Sequence, residues 1–141
     1  MSNKNAGISL IEIMVVVAIV GILTSIAIPT YSNHVLKAKA TELLTTANAY
    51  KLEAMEQEIN DPQAQLDKNF PSTSPNIETI NLSTKGDAAS KHYVIDIKSK
   101  ITTPQGNLSL KLLGRPADGM ISWECKVPAA IANYMPKSCQ A

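Results

Sequence analysis

The chain has 141 residues, with 13 Lys and Arg against 12 Asp and Glu and a formal net charge of +1. A balance this close to neutral excludes a phosphate backbone, a polybasic membrane contact or an acidic substrate as a partner demanded by charge alone. The length fits one domain, and the apolar run near the start leaves roughly a hundred residues for a single modest core.

The chain begins MSNKNAG, a short polar stretch whose one charge is Lys4 and which ends in Gly7. Residues 8–28 then read ISLIEIMVVVAIVGILTSIAI. A run of about twenty residues with one charge is long enough to cross the hydrocarbon core as a helix. Pro29, Thr30 and Tyr31 follow it, with no small-residue cleavage pattern, so the run reads as a retained span rather than a signal removed behind it. Glu12 is the conspicuous residue. A carboxylate inside a span costs about 2.5–3.5 kcal/mol on insertion scales, so it calls for a positive partner or a proton. Gly21 and Pro29 lower helix propensity by about 1 and 3 kcal/mol, and something must tolerate them.

The combination of Gly7, Ile8, Glu12, Gly21, Pro29 and Tyr31 resembles the N-terminal signature of type IV pilins and the related pseudopilins. The resemblance implies that a prepilin peptidase cuts between Gly7 and Ile8 and methylates the new amine of Ile8, which stands where the family more often has Phe. It implies a filament of identical subunits, built from an inner-membrane precursor by a membrane assembly platform and displayed as a surface pilus. In such a filament a neighbour's Ile8 amine comes within reach of Glu12, which then sets the stagger between subunits. Because desolvation offsets most of the Coulomb gain, the pair is better argued as a register device than as stability. The other reading pairs Glu12 with its own amine or leaves it protonated in lipid. The family also implies that residues 21–29 melt in the filament; in the isolated subunit a mild kink at Pro29 in a continuous helix is the alternative.

Beyond Tyr31 the pattern turns amphipathic. Leu36, Ala40, Leu43, Ala47, Tyr50 and Ala54 recur at spacings of three and four, while Lys37, Lys39, Glu42, Lys51, Glu53 and Glu56 lie mostly elsewhere. Asn60, Asp61 and Pro62 form a stop, because the residue before a proline is pushed out of the α region. One helix from near Ile8 to near Asn60 is expected, its apolar half over residues 8–28 and its amphipathic half over residues 29–60. Residues 61–90 are rich in Pro, Asn, Ser and Thr and read as an irregular connection with a short strand over residues 77–82.

Residues 91–141 hold three strand signals. Tyr93, Ile95 and Ile97 alternate with Val94, Asp96 and Lys98; Leu108, Leu110 and Leu112 alternate with Ser109 and Lys111; Ile121, Trp123 and Cys125 alternate with Ser122, Glu124 and Lys126. Turns are expected at residues 103–106 and 114–119. The fold class is therefore α+β, a long N-terminal helix packed on a small antiparallel meander that cannot bury itself alone.

The two cysteines, Cys125 and Cys139, lack the C-x-x-C spacing of zinc or redox sites. In an exported chain they read as one disulfide closing a short loop, worth about 3 kcal/mol, the other reading being two buried thiols. The pilin resemblance implies the same bridge, pinning the tail to the last strand.

Nothing in the sequence points to catalysis. There is no phosphate-binding or dinucleotide glycine loop and no nucleophile elbow. His34 and His92 have no companions at ligand spacing, so neither a metal nor another cofactor is expected. The reading is a major-type pilin for adhesion, twitching motility or DNA uptake. The alternatives are a minor pilin, a type II secretion pseudopilin, or a DNA-binding competence pilin. A major pseudopilin usually ends in a calcium-binding loop, and this tail has no acidic cluster. A DNA receptor would use a basic stripe with aromatics, for which the tail offers Lys126, Lys137, Trp123 and Tyr134.

Overall fold

In the computed structural model, which describes residues 7–72, 74–87 and 90–140, one helix, α1, runs over Leu10–Asn60. The leader expected over residues 1–7 falls outside the described residues apart from Gly7. The chain divides into two units, Met1–Val35 and Leu36–Ala141, and α1 contributes to both.

Among the described residues the first unit is α1 from Leu10 onward, preceded by three irregular residues. Pro29 lies inside it, removing the donor that would have bonded the carbonyl of Ser25 four residues back. Hydroxyls occupy neighbouring carbonyls: Thr24 donates to Val20 O at 2.7 Å, Ser25 to Ile22 O at 2.7 Å and Thr30 to Ile26 O at 3.0 Å. Residues 21–29 are helical throughout in this chain.

The second unit holds five antiparallel strands in sequential order, β1 Asp67–Phe70, β2 Ile77–Lys85, β3 His92–Thr103, β4 Gly106–Ala117 and β5 Met120–Lys126. Cross-strand register stacks the apolar residues in rows, one running Leu82, Ile95, Leu112, Cys125 and another Ile80, Ile97, Leu110. These rows share one core with Ala40, Leu43, Ala47 and Ala54 of α1, all fully buried. Alanines let the helix axis approach the sheet closely enough to exclude water. Cys125 and Cys139 are joined, their Cα atoms 5.0 Å apart. The bridge anchors a tail containing two short 3-10 turns, Ala129–Tyr134 and Lys137–Cys139.

The sheet holds one strand more than expected, β1, and the short strand expected over residues 77–82 is longer, as β2. Residues 61–90, read as largely irregular, contain β1 and a nine-residue β2. β1 is an edge strand with the sequence DKNF and three exposed residues, so it carries no apolar alternation. β2 escapes a period-two reading because its pairing with β3 slips between Ile77 and Thr79. That bulge lets Ile77 and Ile80, three residues apart, both reach the core.

The turn expected over residues 114–119 is shorter than that. Residues 114–117 continue β4, and the reversal uses only Asp118 and Gly119, both with positive φ (50° and 76°), as a two-residue hairpin of the primed type requires. Pro116 is tolerated in a strand because it lies past Gly114, where pairing to β3 has ended and β5 is the sole neighbour. Gly114 itself sits beneath Trp123. A Cβ there would lie 2.7 Å from the Trp123 ring and 2.8 Å from Ile121.

Candidate assembly interface

Every large apolar side chain from Ile8 to Ile28 is exposed, from 50% at Ile13 to 77% at Leu10. Burying such a side chain gains about 1.5–3 kcal/mol, so an aqueous home for the whole run would forfeit tens of kcal/mol. The helix is long and apolar enough to cross a membrane by length and composition. Its surface therefore belongs against lipid or against other protein.

Glu12 stands in the first turn of α1, where the partial positive charge of the helix start favours a carboxylate. Its backbone N–H donates to Ser9 O at 3.0 Å. Among the described residues its carboxylate has no ion-pair partner within 4 Å. Gly7 and Gly21 have nothing within 4 Å of where a Cβ would be, so no contact among the described residues requires glycine at either place. The structure thus sets Gly7, Ile8 and Glu12 close together along the chain but supplies no partner for them.

Several charges of the amphipathic half of α1 lie off the apolar stripe yet are engaged with the folded unit. Glu42 is half-buried and accepts hydrogen bonds from Ser74 Oγ and, at 2.9 Å, from Asn76 Nδ2. Those two bonds hold its carboxyl below the usual glutamate range. Glu58 accepts from Tyr93 Oη at 2.7 Å and from Lys91 Nζ at 3.0 Å. Burial raises the Glu58 pKa, but the two donors outweigh it and the net direction is down. Lys91 also donates to Pro62 O and lies 4.8 Å from the Tyr93 ring centroid. Lys51 has its ammonium 5.7 Å from the Trp123 ring centroid, and burial pushes its pKa down. Sequence periodicity places these residues off the apolar stripe and gives no sign of their partners, which lie 32 to 35 positions away in the cases of Ser74, Asn76, Lys91 and Tyr93.

His34 is exposed and His92 sits with Nδ1 3.1 Å from Ser90 O. No group of three His, Cys, Asp or Glu side chains suited to a metal occurs among the described residues. Asp96 pairs across strands with Lys111 at 3.3 Å.

These features describe an α+β subunit whose apolar helix, long enough to cross a membrane, needs a solvent other than water. A family model for a prokaryotic N-terminal methylation motif matches residues 2–28, and one for pilin, a bacterial filament, matches residues 37–140. The chain is 34% identical over 141 residues to a fimbrial protein, EcpC, of Eikenella corrodens, covering 95% of this chain and 90% of that one. It is 29% identical to the type IV major pilin protein PilE1 of Neisseria gonorrhoeae, covering 94% and 76%. A shorter match, 37% over 80 residues, covers 57% of this chain and 50% of a probable minor fimbrial protein of Dichelobacter nodosus. No solved structure matches the chain significantly. The chain belongs to the type IV pilin family, whose members are structural filament proteins and not enzymes.

Proposed function

We propose that this chain is the major subunit of a type IV pilus, stored as an inner-membrane precursor and extracted into a surface filament. The observation that carries the filament reading is an apolar helix exposed along its whole first half and continuous with a folded unit. Near-full-length likeness to a major pilin, against a partial likeness to a minor fimbrial protein, supports the major role.

In this reading prepilin peptidase cuts Gly7 from Ile8 and methylates the Ile8 amine, and the inner-membrane platform supplies the work of extraction. Glu12 then meets the Ile8 amine of a neighbouring subunit. At 4 Å and an effective dielectric constant near 20 such a pair attracts by about 4 kcal/mol, and desolvation removes several kcal/mol of that. What survives is discrimination between registers, since a slipped neighbour leaves both charges unpaired in an apolar core. Residues 21–29 melt as the helix changes solvent, Gly21 and Pro29 lowering the cost of opening that stretch. Adhesion, twitching motility and DNA uptake are the roles of the fibre.

Surface filaments sheared from cells test the proposal. This chain is expected as the dominant band, with a mass that starts at a methylated Ile8. A trace band would make it a minor pilin, and an intact leader in assembled fibre would refute the processing site.

A further inference from the structure

Two segments of the second unit that are remote in sequence meet in a groove of about 340 Å³. Lys37 and Thr41 of α1 form one wall, and Tyr134, Lys137 and Gln140 of the tail contribute the other. The polar groups of three of these residues are already engaged. Thr41 Oγ1 donates to Lys37 O at 3.0 Å, Tyr134 Oη to Gln105 Oε1 at 2.7 Å, and Gln140 Nε2 to Met135 O at 2.6 Å. The two ammonium groups are not: among the described residues neither Lys37 nor Lys137 has a carboxylate within 4 Å. Both side chains are exposed. No Asp or Glu occurs from residue 29 to 41 or from residue 127 to 140, and the first acid on α1, Glu42, is committed to Ser74 and Asn76.

Charge is also graded along α1. Lys37 and Lys39 come first after the apolar half, while Glu53, Glu56 and Glu58 cluster toward its end and Asp61 follows. Lys37 lies nine residues past Ile28 and is the first charge beyond the apolar run, with Lys39 next, and an anionic membrane surface attracts lysines that closely follow a span. Glu53 is 25 residues past Ile28. Lys137 is held at the same groove by the bridge at Cys139, two residues on, and by buried Met135.

We propose that the Lys37 and Lys137 groove is a seat for the anionic headgroups of the bilayer that stores the precursor. The phosphodiester of a phosphatidylglycerol-type lipid bridges the two ammonium groups and fixes the folded unit to the membrane surface until extraction breaks the contact. The disulfide thereby acquires a second role, holding Lys137 in the place where it completes the groove. The proposal rests on the membrane-anchored precursor reading.

The test uses the full chain in nanodiscs of phosphatidylcholine alone and of phosphatidylcholine with about 30% phosphatidylglycerol, read by native mass spectrometry for retained lipid and by hydrogen exchange over residues 134–140. Each lysine near an anionic surface is worth about fivefold in affinity. The expected result is preferential retention of phosphatidylglycerol and slowed exchange in the mixed discs. In the Lys37→Gln, Lys137→Gln double variant this preference falls by about 30-fold, while Lys98→Gln, the same type of charge change on β3, leaves it intact. Equal retention of both lipids by the inserted wild type, or equal loss in the Lys98→Gln control, overturns the proposal. So does a double variant that keeps its lipid preference but fails to form filaments, which assigns the groove to a second copy of the chain. Failure of the wild type to insert into either disc overturns the anchored-precursor reading and this proposal with it.

Discussion

Replacing Glu58 by Gln removes one charge from a cluster that ties α1 to β3 while preserving the shape of the side chain. Glu58 and Lys91 are 21% and 10% exposed, and the carboxylate also accepts from Tyr93. A hydrogen bond to a charged group is worth about 1.5–3 kcal/mol. Lys91 keeps the Pro62 carbonyl and the Tyr93 ring as neighbours, which moderates the cost of leaving its charge behind. The expected loss at pH 7 is therefore about 2–3 kcal/mol, with Lys91→Met added to Glu58→Gln costing less than the two single changes summed. Urea unfolding of the full chain in detergent, followed by the sheet signal in circular dichroism, measures it, with an unchanged m-value as the control. The pH dependence adds a second readout. The folded-state pKa of Glu58 lies below its ordinary 4.5, so its contribution is complete above that value and disappears as pH falls through the folded-state value. Lys91 is shifted upward from 10.5, donors outweighing burial, so its share is present below that and is lost as pH rises further. The joint contribution of Glu58 and Lys91 should hold a plateau between about 4.5 and 10.5, and Glu58→Gln should flatten the acid limb. A variant within about 0.5 kcal/mol of wild type, or one with an unchanged acid limb, would refute the assignment.

Replacing Cys125 and Cys139 by Ser should cost about 3 kcal/mol, the loop-closure entropy of a cross-link spanning 14 positions; equal melting with and without reductant would count against it. Gly114→Val should destabilise by about 1–3 kcal/mol through overlap with Trp123 and Ile121, and Trp123→Leu in the same chain should recover part of the loss in thermal melts. Glu12→Ala should leave precursor levels in the membrane unchanged and reduce sheared filament and Ile8 methylation; wild-type amounts of methylated fibre would remove Glu12 from the register argument. Ser99→Val, at a core position 1% exposed whose hydroxyl donates to Leu108 O at 2.9 Å, should cost about 1–2 kcal/mol in urea titrations, since the Ile101 N–H that donates to Ser99 Oγ also loses its partner.

Residues that act through a local period were legible. The stripe Ala40, Leu43, Ala47, Ala54 follows the helical repeat and is buried as that repeat requires. The alternations in β3, β4 and β5 likewise face the core as written, and β3 extends the same face through Ser99, Ile101 and Thr103. Serine and threonine at core positions do not register as apolar, yet Ser99 and Thr103 satisfy their hydroxyls on backbone carbonyls across the hairpin. What stayed hidden depends on long-range geometry. The Glu42 and Glu58 contacts join residues more than thirty positions apart, and β1 is a strand because β2 offers it an edge. In the assembly helix the limit is different in kind. Glu12 is conspicuous in sequence because its surroundings are apolar, and among the described residues it has no ion-pair partner to reveal its role.

That contrast bears on how one helix serves two media. Along residues 8–28 lipid tails and neighbouring apolar helices are nearly equivalent solvents, so transfer between them is close to neutral and gives little specificity. A filament needs one stagger out of many that bury the same area. In the proposed filament charge would supply the difference, because leaving Glu12 and an amine unpaired in an apolar interior costs several kcal/mol while apolar contacts barely change with register. The same reasoning explains why the second half of α1 is built unlike the first. Its alanine stripe and its Glu42 and Glu58 contacts fix it to the sheet, so the folded unit moves as one piece with the end of the helix it grips. Weakening those contacts should therefore lower filament yield even with Glu12 and the apolar half intact.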